Sequence, residues 1–358
     1  MTSDTLSAAQ HATKTAWPAD YPLFHPRPWL TNSHLQTIAG NFLPRPNKLP
    51  APTLQLIEVS PARSLQISSQ VLCECHWQPL SQRATSPTVI ILHGLEGSSE
   101  SQYVIGNANK LWRAGCNIIR MNMRNCGPAK YGEALRLTPT LYHSGLSSDV
   151  DHILRFFIET EHLQSVSLIG YSMGGNLVLK LAGDLGASAP PQLRAVVGVS
   201  PAVDLAACAA ALHEPQNRVY ERKFVRALLK RFRRKASFFP RAFDPHRANH
   251  VTSLLEFDDR ITALYCGFRS ANDYYSRAAA ARVLDRITIP TLILHANDDP
   301  FIRITAETRE KIDANPHITF LETEHGGHCA FLASPDRTSS NDGYWAEHTA
   351  LRFILAHS

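Results

Sequence analysis

The stretch that decides the fold is "SVSLIGYSMGGNLVLKLAG", residues 165–183. It begins with a short apolar run, typical of a strand that is buried on both faces. From Gly175 onward, apolar side chains recur at helical spacing. Between these two runs, Ser172 stands among glycines. The stretch predicts a strand, a sharp turn and a helix, and the turn is either a plain glycine-rich joint or a device that presents the Ser172 hydroxyl.

The alternation of strand and helix extends on both sides of this unit. The predicted strands are 53–59, 66–77, 88–94, 117–124, 165–170, 195–200, 291–296 and 318–323, and the predicted helices are 101–114, 147–162, 175–186, 304–313 and 343–356. The first two strands alternate in hydrophobicity and suit an antiparallel pair, with Cys73 and Cys75 on one face. The remaining pattern implies an α/β fold with a mainly parallel central sheet and helices on both faces.

Four segments follow from this pattern. We expect an N-terminal arm packed on the core (1–50), a first part of the core (51–201), a helical cap insertion (202–285) and a second part of the core (286–358). Within the arm, residues 1 to about 20 are polar, whereas the rest is rich in proline and apolar side chains. The cap insertion has no strand pattern and should lie over the carboxyl ends of the strands, where ligands bind in such folds.

Composition narrows the class of protein. The chain has 358 residues, of which 44% are hydrophobic and 19% charged, with a net charge of +5, and this describes a folded globular protein. Its seven cysteines are odd in number and include no C-x-x-C pair, which favours free thiols in a reducing compartment. With no signal-peptide pattern and no apolar run of about 18 residues, we expect a cytoplasmic protein.

Gly170-Tyr171-Ser172-Met173-Gly174 matches the G-x-S-x-G nucleophile elbow. A sharp strand-to-helix turn crowds the backbone, so it needs small residues beside the serine. The turn lifts the hydroxyl clear of the sheet and places it at the positive end of the next helix. The motif predicts Ser172 as a nucleophile.

A serine nucleophile needs a base, and the base needs an acid that orients it. In elbow proteins these follow the serine in the order acid, then histidine. Asp299 lies three residues after the strand 291–296 and is the expected acid, with Asp298 as the alternative. His328 follows two glycines after the last strand and is the expected base, with His325 as the alternative.

Negative charge that develops on the substrate needs backbone N–H donors. The residue after the nucleophile, Met173, supplies one of them. The second is expected from Leu95, which follows the strand 88–94 in "HGLEGSS". We expect no metal and no cofactor, because no histidine or cysteine pattern suits a metal and the glycines form no nucleotide-binding loop.

With these motifs in place, the chain resembles the YheT-type branch of the α/β-hydrolases, which includes plant embryogenesis-associated hydrolases and mammalian α/β-hydrolase-domain proteins one to three. The matching stretches are "FHPRPWLTNSHLQT" (24–37), "ILHGLEGSS", "LYHSG" (141–145), "GYSMGGN", "SPAVDL" (200–205), "DYYSRAAA" (273–280), "HANDDPF" and "HGGH". The resemblance implies Ser172 as nucleophile, Asp299 as acid and His328 as base. The chain departs from its relatives in "MRNCG" (123–127) and in Cys329-Ala330, which could reshape the acyl pocket.

The resemblance implies a carboxylic ester hydrolase, or serine esterase, acting on short- to medium-chain acyl esters. The alternatives are an alcohol acyltransferase that uses the same acyl-enzyme and a hydrolase-like binding protein without activity. The expected partner is a small acyl ester, and a single basic cluster does not favour nucleic acid. In the basic stretch 221–241, Phe224, Leu228 and Phe232 share one face. The cationic residues Arg226, Lys230, Arg231, Arg233, Arg234 and Lys235 are expected mainly around the other face. This helix either contacts anionic lipid peripherally or packs over the pocket with a solvated face.

Overall fold

The structure is a computed structural model that describes residues 18–61, 67–335 and 341–358. Residues 1–17, most of the predicted polar N-terminal segment, lie outside these ranges, as do residues 62–66 before the second strand.

The described residues form one sheet of eight strands. The strands are Thr53–Ser60 (β1), Ser69–His76 (β2), Thr88–Leu92 (β3), Asn117–Met121 (β4), Val166–Tyr171 (β5), Leu193–Val199 (β6), Thr291–Ala296 (β7) and Ile318–Thr323 (β8). Their spatial order is β1-β2-β4-β3-β5-β6-β7-β8. β1 and β2 pair antiparallel, β2 is antiparallel to β4, and strands β3 to β8 run parallel to one another. The loops that follow β3, β5, β7 and β8 therefore meet at one edge of the sheet.

Helices cover both faces of this sheet. Those of eight or more residues are Ser33–Phe42 (α1), Gln102–Arg113 (α2), Ser147–Glu161 (α3), Met173–Leu185 (α4), Leu205–Leu212 (α5), Arg218–Phe238 (α6), Ala271–Ala278 (α7), Ala306–Ala314 (α8) and Trp345–His357 (α9). Apolar side chains of α3, α4 and α8 pack on one face, and those of α2 and α9 pack on the other. Alternate residues of β3 enter these two cores, since Ile90 faces α3 and Ile91 faces α2. The predicted α/β class is confirmed.

The strand predicted for 117–124 is shorter in the structure and ends at Met121. The N–H of Met123 donates to His93 Nε2 at 3.1 Å instead of joining a strand. The chain then turns, because the N–H of Cys126 donates to the carbonyl of Met123 and Asn125 has a positive φ of 64°. The other predicted strands and helices agree with the structure within a few residues at their ends.

Between β6 and β7, where every residue is described, the chain forms helices and turns and no strand. Helices α5, α6 and α7 belong to this part, and their apolar side chains form two clusters distinct from the sheet cores. The N-terminal arm precedes β1 and contains α1. Its Pro26 forms an isolated β-bridge with Ala333, which follows β8.

Candidate active site

Ser172 occupies the turn between β5 and α4 with φ 54° and ψ −116°, a conformation that L residues rarely adopt. The neighbouring glycines make this turn sterically feasible. A Cβ on Gly170 would lie 2.1 Å from the carbonyl oxygen of Gly174, and a Cβ on Gly174 would lie 2.5 Å from that of His93. Since real Cβ atoms do not approach so closely, both positions require glycine. The strained backbone conformation therefore lies at Ser172, the residue that the G-x-S-x-G motif predicts as the nucleophile.

The loop after β3 lies against the serine. A Cβ on Gly94 would be 3.2 Å from Ser172 Cβ, and the N–H of Gly94 donates to the Tyr103 hydroxyl at 2.9 Å. Leu95 follows this residue, and Met173 is the first residue of α4. Among the described residues, neither the Leu95 nor the Met173 backbone N–H donates to a protein acceptor. Both donors are therefore available to a ligand beside Ser172.

His93 fixes the shape of this loop. Its Nε2 accepts the Met123 N–H, so its proton lies on Nδ1, which donates to the carbonyl of Gly94 at 2.7 Å. Burial lowers the pKa of His93 to about 4, which keeps the ring neutral and this tautomer in place.

Asp299 and His328 form a close pair. His328 Nδ1 lies 2.8 Å from Asp299 Oδ2, and the side chain of Asp299 is fully buried. Its other oxygen accepts the N–H groups of Phe301 and Ile302 at 3.1 Å and 2.9 Å. These bonds fix the carboxylate, and the carboxylate orients the imidazole with Nε2 pointing away from it.

Burial alone would raise the pKa of Asp299, but the His328 ring beside it and its backbone donors hold that pKa below its ordinary value. Burial alone would lower the pKa of His328, but the Cys329 thiol and the Asp299 carboxylate outweigh burial and raise it. Cys329 and Asp299 together thus favour a protonated imidazole.

The expected hydrogen bond between the nucleophile and the base of the triad is not formed in this structure. Within the described residues no hydrogen bond joins Ser172 Oγ to His328 Nε2, and that nitrogen lies 3.5 Å from Cys329 Sγ. Cys329 has a positive φ of 60°, and its N–H donates to the Ser200 hydroxyl at 3.0 Å. Catalytic hydrogen bonds of unliganded enzymes are often long and shorten when substrate binds.

The alternative acid and base form a second pair. Asp298 Oδ2 lies 3.3 Å from His325 Nδ1, and Asp298 Oδ1 accepts the Gly327 N–H at 2.8 Å. Asp298 therefore holds the glycine-rich loop that carries His328. In the ranges that the structure covers, no three histidine, cysteine or acidic side chains are arranged to hold a metal ion.

The arm contacts the same loop, which the sequence reasoning missed. The N–H of His328 donates to the Thr37 hydroxyl at 2.8 Å, and the N–H of Leu332 donates to Gln36 Oε1 at 3.1 Å. Gln36 is fully buried, and Gly40 packs directly on Ala330. No sequence signal indicated this contact, because the arm also contains other polar residues such as Arg27, Asn32 and His34.

Asn176 joins the elbow helix to the segments that surround it. Its amide donates to the carbonyls of Ser144 and Ala278 at 2.8 Å and 3.0 Å, and its Oδ1 accepts the Ala280 N–H at 2.8 Å. Two of the stretches behind the resemblance, 141–145 and 273–280, thus converge on one side chain of a third.

Ser172 opens into a cavity of about 140 Å³ beneath the helices between β6 and β7. The cavity wall is mostly apolar and includes Leu95, Met173, Leu205, Leu212, Phe224 and Leu228. Its volume is close to that of cavities of roughly 150 Å³ that hold a benzene molecule. A chain of about six carbon atoms therefore matches it in size.

One expectation for the basic stretch 221–241 is wrong. The pattern predicts Arg231 and Lys235 mainly on the face opposite the apolar side chains of this helix, but Lys235 is fully buried and Arg231 lines the cavity. Lys235 Nζ meets three oxygen acceptors, on Asn125, Leu135 and Thr138, and Arg231 pairs with Glu96. These oxygens compensate the charges inside the protein. Arg226, Lys230, Arg233 and Arg234 are exposed.

Comparison with known proteins agrees with this fold. Residues 87–335 match the alpha/beta hydrolase fold family. The putative esterase YheT of Escherichia coli is 31% identical over 86% of this chain and 87% of its own length. Phospholipase ABHD3 of Mus musculus is 30% identical over 70% of this chain, and the matched part covers 59% of the ABHD3 length. The Pyrococcus furiosus esterase Pf2001 has a TM-score of 0.51 at 14% identity and covers 94% of this chain and 98% of its own.

The chain belongs to the α/β-hydrolase family, with the esterase and lipase type of hydrolase as its relatives. Within that family it falls in the YheT-type branch, as the sequence motifs predicted. None of the described helices is long and apolar enough to cross a membrane.

Proposed function

We propose that the protein is a serine esterase that cleaves short- to medium-chain carboxylic esters and needs no cofactor. The observation that carries this proposal is that Ser172 lines an apolar cavity at the sheet edge where the loops of the paired Asp299 and His328 also lie. The size of the cavity favours acyl chains of about six carbons over long lipid chains.

In the proposed reaction, Ser172 Oγ attacks the acyl carbon while His328 Nε2 accepts the hydroxyl proton. Asp299 stabilises the imidazolium that forms, and the Leu95 and Met173 N–H groups bind the oxyanion. His328 then passes the proton to the leaving alcohol oxygen as the C–O bond breaks. Water attacks the acyl-enzyme by the same route, which releases the acid and restores Ser172.

The opening step requires His328 Nε2 to move from Cys329 Sγ to Ser172 Oγ. Because Asp299 holds the other ring nitrogen, this move requires the loop that carries His328 to adjust. Transfer of the acyl group to an alcohol in place of water would use the same groups.

The test is a chain-length series of p-nitrophenyl esters with the native protein and a Ser172→Ala variant. We expect the highest kcat/KM near six acyl carbons and no turnover above background in the variant, with unchanged circular dichroism. A fluorophosphonate probe should label the native protein and spare the variant. Turnover that survives Ser172→Ala would overturn the mechanism, and ester as the main product when ethanol is present would favour acyl transfer.

A further inference from the structure

The cavity that contains Ser172 also contains an acid that the proposed reaction does not use. Asp258 lines it, with only 7% of its surface exposed. Thr262 and Tyr275 are equally buried and line the same cavity. A carboxylate in a mostly apolar wall is costly, because burial removes its hydration.

Asp258 differs from the other buried acids among the described residues. Five of the six have a cationic or histidine partner: Glu74 with Arg120, Asp149 with Arg124, Glu221 with His213, Asp299 with His328, and Glu347 with Arg45 and Lys110. Asp258 has two neutral partners instead. Its Oδ1 accepts the Thr262 hydroxyl at 2.7 Å, and its Oδ2 accepts the Tyr275 hydroxyl at 2.8 Å.

These two hydrogen bonds leave acceptor capacity on the carboxylate. Each oxygen of an ionised carboxylate can accept about two hydrogen bonds, and here each accepts one from a protein side chain. Burial raises the pKa of Asp258 to about 6, while the two hydroxyl donors oppose the rise. The group is therefore mostly ionised at neutral pH.

The local backbone explains how the acid reaches the cavity. A helical run over 254–266 changes to a π-helical turn at Asp258–Ala263 and returns to α-helix at Leu264. Such turns are rare and occur frequently at functional sites. The Asp258 side chain caps no helix here, since both bonds of its carboxylate go to side chains. Its bond with Tyr275 links the run to α7, a link that a neutral acceptor would also make.

We propose that Asp258, Thr262 and Tyr275 form a polar subsite that binds a hydrogen-bond donor, a hydroxyl or an ammonium group, on the part of the substrate held in the cavity. The inference deepens the proposed function, and it rests on that function for the reaction, though not for binding. It predicts that the preferred ester carries such a group at the end of a short chain, rather than a plain hydrocarbon chain.

Binding can be measured without turnover in the Ser172→Ala protein. Calorimetric titration would compare hexanol, hexanediol with two terminal hydroxyls, and the corresponding terminal amino alcohol. A hydrogen bond to a charged acceptor contributes enough to tighten binding about tenfold. We expect at least one of the two terminal groups to bind that much more tightly than hexanol, and the one that does identifies the donor.

Three substitutions assign the effect to the subsite. Asp258→Asn and Asp258→Leu should abolish the preference while hexanol still binds, and Thr262→Val should weaken the preference without changing the shape of the wall. Asp313→Asn, which removes an exposed acid on α8, should leave every dissociation constant unchanged. The inference is overturned if neither terminal group tightens binding over hexanol, or if the preference survives both Asp258 variants.

Turnover separates this inference from the proposed function. With native protein, kcat/KM for p-nitrophenyl hexanoate would be compared with that for its ω-hydroxy and ω-amino analogues. Cleavage of all three at equal rates contradicts the subsite and retains the esterase. Failure to cleave any of them contradicts the esterase, and the titrations then decide the subsite alone.

Discussion

The backbone N–H of His328 donates a hydrogen bond to the hydroxyl of Thr37 at 2.8 Å, across 291 residues of sequence. The Thr37 hydroxyl donates in turn to the carbonyl of Ser33 at 2.8 Å, so its orientation is fixed by α1 itself. A Cβ on Gly327 would lie 2.6 Å from that same carbonyl. The loop of the proposed catalytic base therefore rests directly on the N-terminal arm.

Thr37→Val should lower kcat about fivefold to tenfold and leave KM nearly unchanged. The substitution keeps the shape of the side chain but leaves the His328 N–H without its acceptor, a loss of about 1 kcal/mol. Steady-state kinetics on a p-nitrophenyl ester measure the effect. Thr160→Val is the matched control, because Thr160 also donates to the carbonyl four residues earlier but lies on the exposed side of α3. Equal kinetics for the two variants would contradict a role of Thr37 in positioning the base.

Asp299→Asn should reduce kcat by about a thousandfold to ten-thousandfold, because the amide favours the wrong tautomer of His328. Asp298→Asn should cost less than about tenfold, since Asp298 contacts the loop backbone and His325 only. The two variants differ by one position along the chain and remove the same charge. If they lose activity equally, or in the reverse order, the assignment of the acid is wrong.

The pH dependence of kcat/KM should have a midpoint above 6.5, the ordinary value for histidine. The raised pKa of His328 means that the neutral base forms only at higher pH, so activity rises with pH through that midpoint. The same shift implies a contribution to folding stability that is complete below 6.5 and lost as pH rises through the raised pKa. A pH–rate profile tests this, with His325→Asn as the control that should keep the midpoint. A midpoint below 6.5 would contradict the raised pKa.

Peripheral binding to anionic lipid is an expectation for α6 that rests on its exposed cations. Replacing Arg226 and Lys230 with glutamine should weaken partition to phosphatidylserine vesicles by roughly 2 kcal/mol. Arg113 and Arg194 are exposed cations outside α6, and the same double replacement there is the control. Sedimentation with vesicles measures both. If native protein does not sediment with anionic vesicles any more than with neutral ones, the solvated-helix alternative holds.

Local sequence was sufficient to propose the candidate site residues that follow strands. Ser172, Asp299, His328 and Leu95 each stand within a few residues of a buried apolar run, and parallel strands bring such loops to one edge of the sheet. The glycines at 170 and 174 could be interpreted in the same way, since crowding in a turn is a local property.

Contacts between distant segments could not be predicted in this way. The acceptor role of Thr37 depends on how α1 docks, and the inward positions of Arg231 and Lys235 depend on oxygens that other segments bring to α6. Helical periodicity predicts which residues share a face of a helix, but it does not predict which polar groups of other segments lie against that face. Asp258 was missed for a similar reason, because a π-helical turn changes the register that the pattern assumes.

The docking of α1 on the loop around His328 also bears on when the protein becomes active during its synthesis. The arm leaves the ribosome long before its partners, which are residues 327–333 and Glu347, the partner of Arg45. Segments near the N-terminus generally fold first as a chain is made. Here the arm cannot dock until the segments after β8 have emerged, so Ser172 is in place well before the loop of His328 is secured. Nascent chains should therefore stay inactive until Glu347 has left the ribosome.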